Sequence, residues 1–171
     1  MSVTYLTESP IDLSTLLAQV QSPLRGGVAC FLGTVRNHHA GREVLRLDYS
    51  AYAPMAEAVC ARIVAEAQSR WQVAVALEHR VGPLTIGDAA VAVAVASAHR
   101  DQAFQACRYV IEEVKRRVPI WKKEHYADGT VEWVGGGEAG TRGSGDAGKV
   151  IRDSLEESEA RLSVRADAES V

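Results

Sequence analysis

Residues 73–97 read VAVALEHRVGPLTIGDAAVAVAVAS, and this stretch decides the fold class. On either side of its centre, apolar side chains alternate with small or polar ones, which is the two-residue period of a β-strand. The central GPLTIGD segment is rich in turn-forming residues and predicts a reversal of the chain. Two neighbouring strands joined by a short turn pair most simply in the antiparallel sense, so we expect an antiparallel sheet at the centre of the protein.

Two helices are predicted before this strand pair. The first covers residues 10–20 and begins at Asp12 or Ser14, because both residue types are favoured at helix N-termini. The second begins at Pro54, since proline suits the first turn of a helix, where an amide proton is not needed. Its apolar residues recur on one side at helical spacing: Met55, Val59, Ile63, Ala67 and Trp71. We expect this side to pack on the sheet.

A third helix follows the strand pair and is predicted from about Asp101 to Val118, where Pro119 ends it. At about 100° per residue, its apolar side chains form one stripe: Phe104, Cys107, Ile111, Val114 and Val118. Lys115 lies only about 20° outside the edge of this stripe, next to Phe104. We therefore expect Lys115 to be partly buried.

Three further stretches have the patterns of strands. Residues 26–36 (GGVACFLGTVR) predict a buried strand, and residues 44–52 (VLRLDYSAY) alternate like a half-buried one. Residues 120–134 predict two short strands around an Asp-Gly turn. Together with the helices, these strands indicate an α+β fold, in which a single domain over residues 1–134 packs its helices on a mainly antiparallel sheet.

Residues 135–171 differ in composition from the rest of the chain. Seven of the 14 glycines fall between residues 135 and 148, and the segment carries five basic and eight acidic side chains against 14 of each before it. Such a composition buries too little apolar surface to order itself. We therefore predict a domain boundary near Val134, followed by a glycine-rich linker and a flexible acidic tail.

The composition also excludes several classes of protein. The net charge is −3, and the longest apolar run, residues 89–96, is far shorter than the ~20 residues that span a membrane. We expect neither a membrane protein nor a nucleic-acid binder, because the basic run at residues 115–123 stands in a body of balanced charge. The three cysteines are far apart and look buried, which predicts no disulfide framework, no metal site and a cytoplasmic location.

The sequence contains no GxSxG, HExxH or Walker motif, so an enzyme built from it would take its nucleophile from elsewhere. It offers instead cations at strand and helix ends. Arg36 follows a predicted strand and could hold an anion with two hydrogen bonds, unless it is a solvated loop residue. His99 and Arg100 precede the third helix, whose free amides favour phosphate. The alternative is that His99 packs at a strand end and Asp101 caps the helix.

Two lysines stand out in the basic run. Lys115 lies beside the apolar stripe, and Lys122 follows the bulky Trp121 in a strand-like stretch. Partial burial favours the neutral amine, which can serve as an acid, a base or a covalent anchor. The alternative is that both lysines lie on a solvated face.

The order of the motifs along the chain is more specific than any one of them. They run FLGTVRNHH (31–39), LDYSAY (47–52), HRVGPLTIGD (79–88), SAHRDQAF (97–104), VKRRVPIWKKE (114–124) and DGTVEWV (128–134). Over residues 26–134 this series resembles the large, catalytic subunits of molybdopterin synthase, the MoaE family. The resemblance implies an α+β fold of the α/β-hammerhead type.

The resemblance also implies a reaction. Cyclic pyranopterin monophosphate would be the substrate and the dithiolene-bearing molybdopterin the product, with no permanently bound cofactor. The sulfur would arrive as a thiocarboxylate on the C-terminal Gly-Gly of a small ubiquitin-like subunit, which agrees with the absence of a nucleophile motif. The family assembles as a homodimer flanked by two small subunits, so the implied assembly is a heterotetramer.

Carried over position by position, the resemblance assigns roles to seven residues. The catalytic residues would be Lys115 and Lys122. The residues that bind the substrate phosphate or pterin would be Arg36, His99 and Arg100. The residues that shape the pocket and the entry for the partner's tail would be Phe31 and Trp121. Three glycines at 135–137 stand here where some relatives have charged residues, so we assign no catalytic role beyond residue 134.

A second function fits the same residues. A non-catalytic binding module could use these cations to hold a phosphorylated small molecule or the C-terminal peptide of a partner. The two hypotheses differ in whether the lysines are needed for chemistry or only for binding.

Overall fold

A computed structural model describes residues 4–134 of the chain. Three helices and nine strands follow one another in this part: β1 (Leu6–Thr7), α1 (Leu13–Val20), β2 (Gly27–Thr34), β3 (His38–His39), β4 (Arg42–Ala51), α2 (Ala53–Trp71), β5 (Ala74–Arg80), β6 (Gly82–Thr85), β7 (Ala89–Ser97), α3 (Arg100–Arg117), β8 (Ile120–Tyr126) and β9 (Val131–Val134). The α+β fold class is therefore confirmed. The tail predicted over residues 135–171 lies outside the described residues, and its boundary near Val134 stays a prediction.

The first sheet has the strand order β1-β5-β7-β2. The predicted antiparallel pairing of residues 73–81 with 89–97 is confirmed, because β5 and β7 pair in that sense. β2 lies antiparallel on the other side of β7, and the short β1 adds in parallel to β5. The turn segment between β5 and β7 contributes an unpredicted strand, β6, which leaves this sheet to pair with β4.

The second sheet has the order β3-β4-β8-β9, with β6 also on β4. The two strands predicted around the Asp-Gly turn are β8 and β9, and Gly129 adopts the positive φ of 85° that this turn requires. The register of β4 shifts between Val44 and Arg46. This bulge turns both Val44 and Leu47 inward and leaves Leu45 exposed, which corrects the simple alternation predicted for this strand.

The core lies on the two faces of β7. Val91, Val93 and Val95 pack against α2 and α3, whereas the alanines between them pack against α1. The predicted apolar side of α2 is confirmed at Val59, Ile63 and Ala67, which are buried. No helix within residues 4–134 is long and apolar enough to span a membrane.

β2 is an edge strand, not the buried strand that its sequence predicts. α1 covers β5 and β7 but does not reach β2, so Val28 and Leu32 are 42% and 43% exposed and Cys30 is exposed between them. Cys60 and Cys107 are buried as expected, and burial raises the pKa of their thiols to about 12 and about 11. The prediction of a buried thiol is therefore wrong for Cys30 alone.

Candidate functional site

A cavity of about 510 Å³ opens where the end of β2, the β3 segment, the last turn of α3 and β8 meet. Four of the seven residues assigned from the sequence line it: Phe31, Arg36, Lys115 and Lys122. Four titratable residues that the sequence analysis did not select line it as well: His38, His39, Tyr49 and Glu124. We call this space the cationic cavity, because Glu124 is the single carboxylate among its lining residues within residues 4–134.

Lys115 projects from the last turn of α3 and is exposed, so the prediction that it is partly buried is wrong. The reason lies in the flank of the helix on which it stands. Phe104, which lies at nearly the same angle around the helix, is itself 62% exposed, because no element within residues 4–134 covers that flank. Lys115 forms no ion pair with any residue in the described part of the chain, which leaves its ammonium group available to a ligand.

Lys122 has the partial burial that the sequence predicts, and the structure adds a partner. Its side chain is 28% exposed, and its Nζ lies 2.7 Å from Oε1 of Glu124, two residues further along β8. Strand geometry explains the pairing, since residues two apart point to the same face of a sheet. The two lysines of the cavity therefore differ, because one is held by a carboxylate and the other is not.

Glu124 is the buried centre of the cationic cavity, with 1% of its surface exposed. Its Oε2 accepts hydrogen bonds from the Tyr126 hydroxyl and from Nδ1 of His39, the latter at 2.6 Å. Burial by itself raises the pKa of this carboxyl, but the hydrogen bonds from Lys122 and Tyr126 reverse the effect and hold the pKa below its ordinary value. Glu124 is therefore charged at neutral pH.

A tight hairpin places His39 beside the Glu124 carboxylate. Ala40 and Gly41 both have positive φ, 49° and 79°, and they join β3 to β4 as a two-residue turn. The sequence carried a signal for this group, because Lys122, Glu124 and Tyr126 alternate along one strand. It gave no indication that His39 lies opposite them, since the two segments are 85 residues apart.

Arg36 and Phe31 reach the cavity from β2. Arg36 is exposed just beyond the end of the strand, as expected for a residue that receives an anion. Phe31 is half-buried, and Gly33 makes room for it, because a Cβ at that position would lie 3.3 Å from Cε1 of Phe31 and 2.8 Å from Cγ1 of Val91. Phe31 therefore lies in the wall of the cavity, and its role in shaping the pocket for a partner's tail stays a prediction.

His99 and Arg100 do not line this cavity in a single chain. They lie at the other end of β2, where a Cβ on Gly27 would be 3.1 Å from the Arg100 Cα. β2 has eight residues, so its two ends are about 23 Å apart. Within one described chain the five cations therefore lie in two groups, and their joint role in one site stays a prediction.

The start of α3 has some features of an anion site. His99 is the N-cap residue but makes no side-chain capping bond, and both His99 and Arg100 are exposed. The alternative reading fails, because His99 is not packed and Asp101 lies inside the first turn, where it accepts a hydrogen bond from Gln105. The side chains and amides at this helix start are open to a ligand.

Trp121 is half-buried in β8 and does not line the cavity. It pairs with Ser50 of β4, and alternation along the strand turns it away from the face that carries Lys122. Within residues 4–134, no contact of Trp121 with the cavity supports its assigned role in shaping the pocket.

Comparison with known proteins adds an independent line of evidence. The family model described as MoaE protein matches residues 6–117 of the chain. This chain belongs to the MoaE family. Among its MoaE relatives is the molybdopterin synthase catalytic subunit of Bacillus subtilis, which is 44% identical over 131 residues and is matched over 76% of this chain and 83% of that protein.

Solved structures agree with the MoaE assignment. The crystal structure of molybdopterin synthase from Staphylococcus aureus superposes with a TM-score of 0.75 and 38% sequence identity, over 79% of this chain and 98% of that one. The complex of subunits 1 and 2 of molybdopterin-converting factor from Helicobacter pylori contains a chain with the same fold, at a TM-score of 0.62 and 19% identity, over 80% of this chain and 92% of that one.

Proposed function

We propose that this chain is the large subunit of molybdopterin synthase and converts cyclic pyranopterin monophosphate into the dithiolene of molybdopterin. Membership of the MoaE family makes it an enzyme subunit of molybdenum cofactor biosynthesis that transfers sulfur. The observation that carries the substrate assignment is the convergence of Arg36, Lys115 and Lys122 on one cavity. Three cations around a single opening suit a phosphorylated, anionic substrate.

The two lysines suit different parts of this reaction. The Glu124 carboxylate, 2.7 Å from the Lys122 Nζ, holds this side chain in place, so Lys122 is suited to bind the substrate as a fixed positive charge. Lys115 has no such partner within residues 4–134, so it is the better candidate to transfer protons or bond to an intermediate. We therefore propose Lys115 as the covalent or acid–base participant and Lys122 as its neighbour in the substrate site.

The sulfur would come from a partner protein. We propose a small ubiquitin-like subunit whose C-terminal Gly-Gly thiocarboxylate enters the cationic cavity beside Phe31, because the cavity holds no cysteine or serine nucleophile among its described lining residues. The Helicobacter pylori complex of subunits 1 and 2 supports a two-subunit assembly. A cytoplasmic location and a heterotetramer with two small subunits belong to the same proposal.

A homodimer would complete the site. β2 is an open edge of eight residues with Val28 and Leu32 exposed, which is a surface suited to pairing with another strand. If two copies pair through β2 about a two-fold axis, the strands run antiparallel and the start of one β2 faces the end of the other. His99 and Arg100 of one chain would then approach Arg36 of its partner, so we propose that each site takes its anion-binding residues from both chains.

The test is reconstitution of the purified chain with thiocarboxylated small subunit and cyclic pyranopterin monophosphate, with the product detected by the fluorescence of the oxidised pterin. Lys115→Ala and Lys122→Ala should each lower the rate of dithiolene formation at least a hundredfold. Lys123→Ala is the matched control, because Lys123 is the next residue along β8 but lies over the Trp133 ring, 5.4 Å from its centre, outside the cavity.

The same experiment separates the enzyme from the binding module. Loss of product in Lys115→Ala with substrate binding retained would reject the binding module. Full activity in both lysine variants would instead remove the catalytic assignment.

A further inference from the structure

His39 shares a buried carboxylate with Lys122. Its Nδ1 lies 2.6 Å from Oε2 of Glu124, while Lys122 Nζ lies 2.7 Å from Oε1 of the same group. A carboxylate can only accept, so Nδ1 carries the proton in this contact. The other ring nitrogen, Nε2, makes no hydrogen bond within residues 4–134, and the His39 side chain remains 33% exposed at the cavity. This arrangement leaves a basic nitrogen available to a bound molecule.

The groups around His39 include more cations than carboxylates. The titratable and charged groups that face it are Glu124, Lys122 and Tyr126 of β8, Tyr49 of β4, Arg36 and His38 before β4, and Lys115 of α3. Arg42 stacks on Tyr126, but its charge is already balanced by two ion pairs outside the cavity. Glu124 is the single carboxylate in this set, and it already balances Lys122. An anionic ligand in the cavity would offset the remaining positive charge.

We propose that His39 is an acid–base residue of the cationic cavity that donates a proton through Nε2 while Glu124 holds its ring. The inference rests on the proposed function. In the step, the partner's sulfur forms a C–S bond, the C–O bond to the displaced oxygen breaks, and that oxygen takes its electron pair. The oxygen then receives the proton as the Nε2–H bond breaks. Neutral His39 keeps its Nδ1–H bond to Glu124 and recovers a proton from water.

The variant that tests this role is His39→Asn. The asparagine amide reaches about as far as Nδ1 and can still donate to Glu124, so the substitution keeps the structural contact and removes the second ring nitrogen. In the reconstituted system with the thiocarboxylated small subunit, we expect the single-turnover rate of sulfur transfer to fall at least tenfold. The inflection of that rate between pH 5 and 8, where imidazole groups change charge, should disappear.

His125→Gln is the matched control, because a glutamine amide reaches about as far as Nε2 and can still donate to the carboxylate. His125 also pairs with a carboxylate, since its Nε2 lies 2.5 Å from Oδ2 of Asp48, but it is not among the residues that line the cavity. It should keep both the rate and the pH profile of the wild-type chain. A His39→Asn chain with the wild-type rate and profile would overturn the proposal. A wild-type chain that forms no dithiolene would instead overturn the proposed function, and this inference with it.

A second measurement does not depend on turnover or on the folding of a variant. Nitrogen-15 NMR of the wild-type chain with labelled histidine distinguishes the two neutral ring forms. We expect His39 to carry its proton on Nδ1 above pH 8, as the contact with Glu124 requires. A ring protonated on Nε2 would overturn the proposal, because that nitrogen could not then accept a proton from water and pass it on.

Discussion

At the scale of single residues, burial and partners decide what each side chain can do. Lys115 and Lys122 are chemically identical, yet Lys122 forms an ion pair with a carboxylate that is 1% exposed, whereas Lys115 lines the same cavity with no ion-pair partner among residues 4–134. Removal of either partner of this ion pair would leave a costly unpaired charge. The site therefore combines a fixed cation with a reactive one.

His79 is a buried histidine outside the site, and it predicts how stability depends on pH. It is 7% exposed, its ring contacts Tyr49 edge to face, and Nδ1 donates to the Arg80 carbonyl. Loss of solvation lowers its pKa to about 4, although the hydrogen bond to Arg80 opposes the shift. Between pH 4 and 6.5 the unfolded chain binds a proton that the folded chain does not, so the stabilisation is complete above pH 6.5 and is lost as the pH falls.

We expect this histidine to contribute roughly 3 kcal/mol to the change in unfolding free energy between pH 6.5 and 4. Urea unfolding at several pH values across this range gives the free energy of unfolding as a function of pH. This free energy should change less with pH in His79→Phe than in the wild-type chain. The same change at the exposed His99 should leave the slope as it is. An unaltered slope in His79→Phe would contradict the assignment of a neutral, buried His79.

At the scale of elements, the C-terminal end of α2 shows how the same substitution of glutamine affects stability differently at two positions. Gln72 ends the helix in the left-handed conformation, with φ 54° and ψ 45°, and its backbone amide donates to the Gln68 carbonyl. A side chain at such a position costs about 1 kcal/mol, which glycine avoids. Gln68 lies one turn earlier, exposed and in regular helix, where glycine is unfavourable by about the same amount.

Replacing each of these glutamines with glycine should therefore shift stability in opposite directions. We expect Gln72→Gly to raise the free energy of unfolding by about 0.5–1 kcal/mol and Gln68→Gly to lower it by about 1 kcal/mol. Thermal and urea unfolding of the two variants measure both changes against the wild-type chain. Destabilisation by both would show that the Gln72 side chain, whose Nε2 bonds to the Ser69 carbonyl, matters more than backbone strain.

At the scale of the whole molecule, the shared site can be tested by mixing variants. If Lys115 of one chain works with Arg100 of its partner, a dimer of one Lys115→Ala and one Arg100→Ala chain contains one intact site and one doubly defective site. Random pairing makes half of the dimers mixed, so about a quarter of the wild-type activity should return in a co-refolded mixture of two inactive chains.

The control mixture combines Lys115→Ala with Lys122→Ala. Both lysines line the same cavity of one chain, so every site in a mixed dimer keeps one defect and no activity should return. The absence of recovery in the Lys115→Ala and Arg100→Ala mixture would contradict a site built from two chains.

The position of the dimer interface makes a separate prediction. Leu32→Lys places a charge on the exposed edge strand β2 and should convert the dimer to a monomer in light scattering, with loss of activity. Leu45→Lys is the matched control, because Leu45 is 53% exposed but belongs to β4 in the second sheet. If both variants remain dimeric, β2 is not the interface.

The sequence by itself determined the local features of this protein. Alternation in residues 73–97 predicted the central antiparallel pair, and helical spacing placed Val59, Ile63 and Ala67 in the core. Prolines and the Asp-Gly turn located the ends of elements. These features depend on neighbours within a few residues, so the spacing of side chains along the chain predicts them. The order of the motifs along the chain indicates the family.

Only the tertiary structure decided what depends on distant segments. It made β2 an edge strand that is left exposed, because the coverage of a strand depends on where α1 packs. It also exposed Lys115, because no element within residues 4–134 packs on that flank of α3. It joined His39 to Glu124 across 85 residues, and it placed His99 at the far end of β2 from the cavity. Periodicity fixes which way a side chain points along its own element, whereas the packing of the elements fixes what that side chain meets.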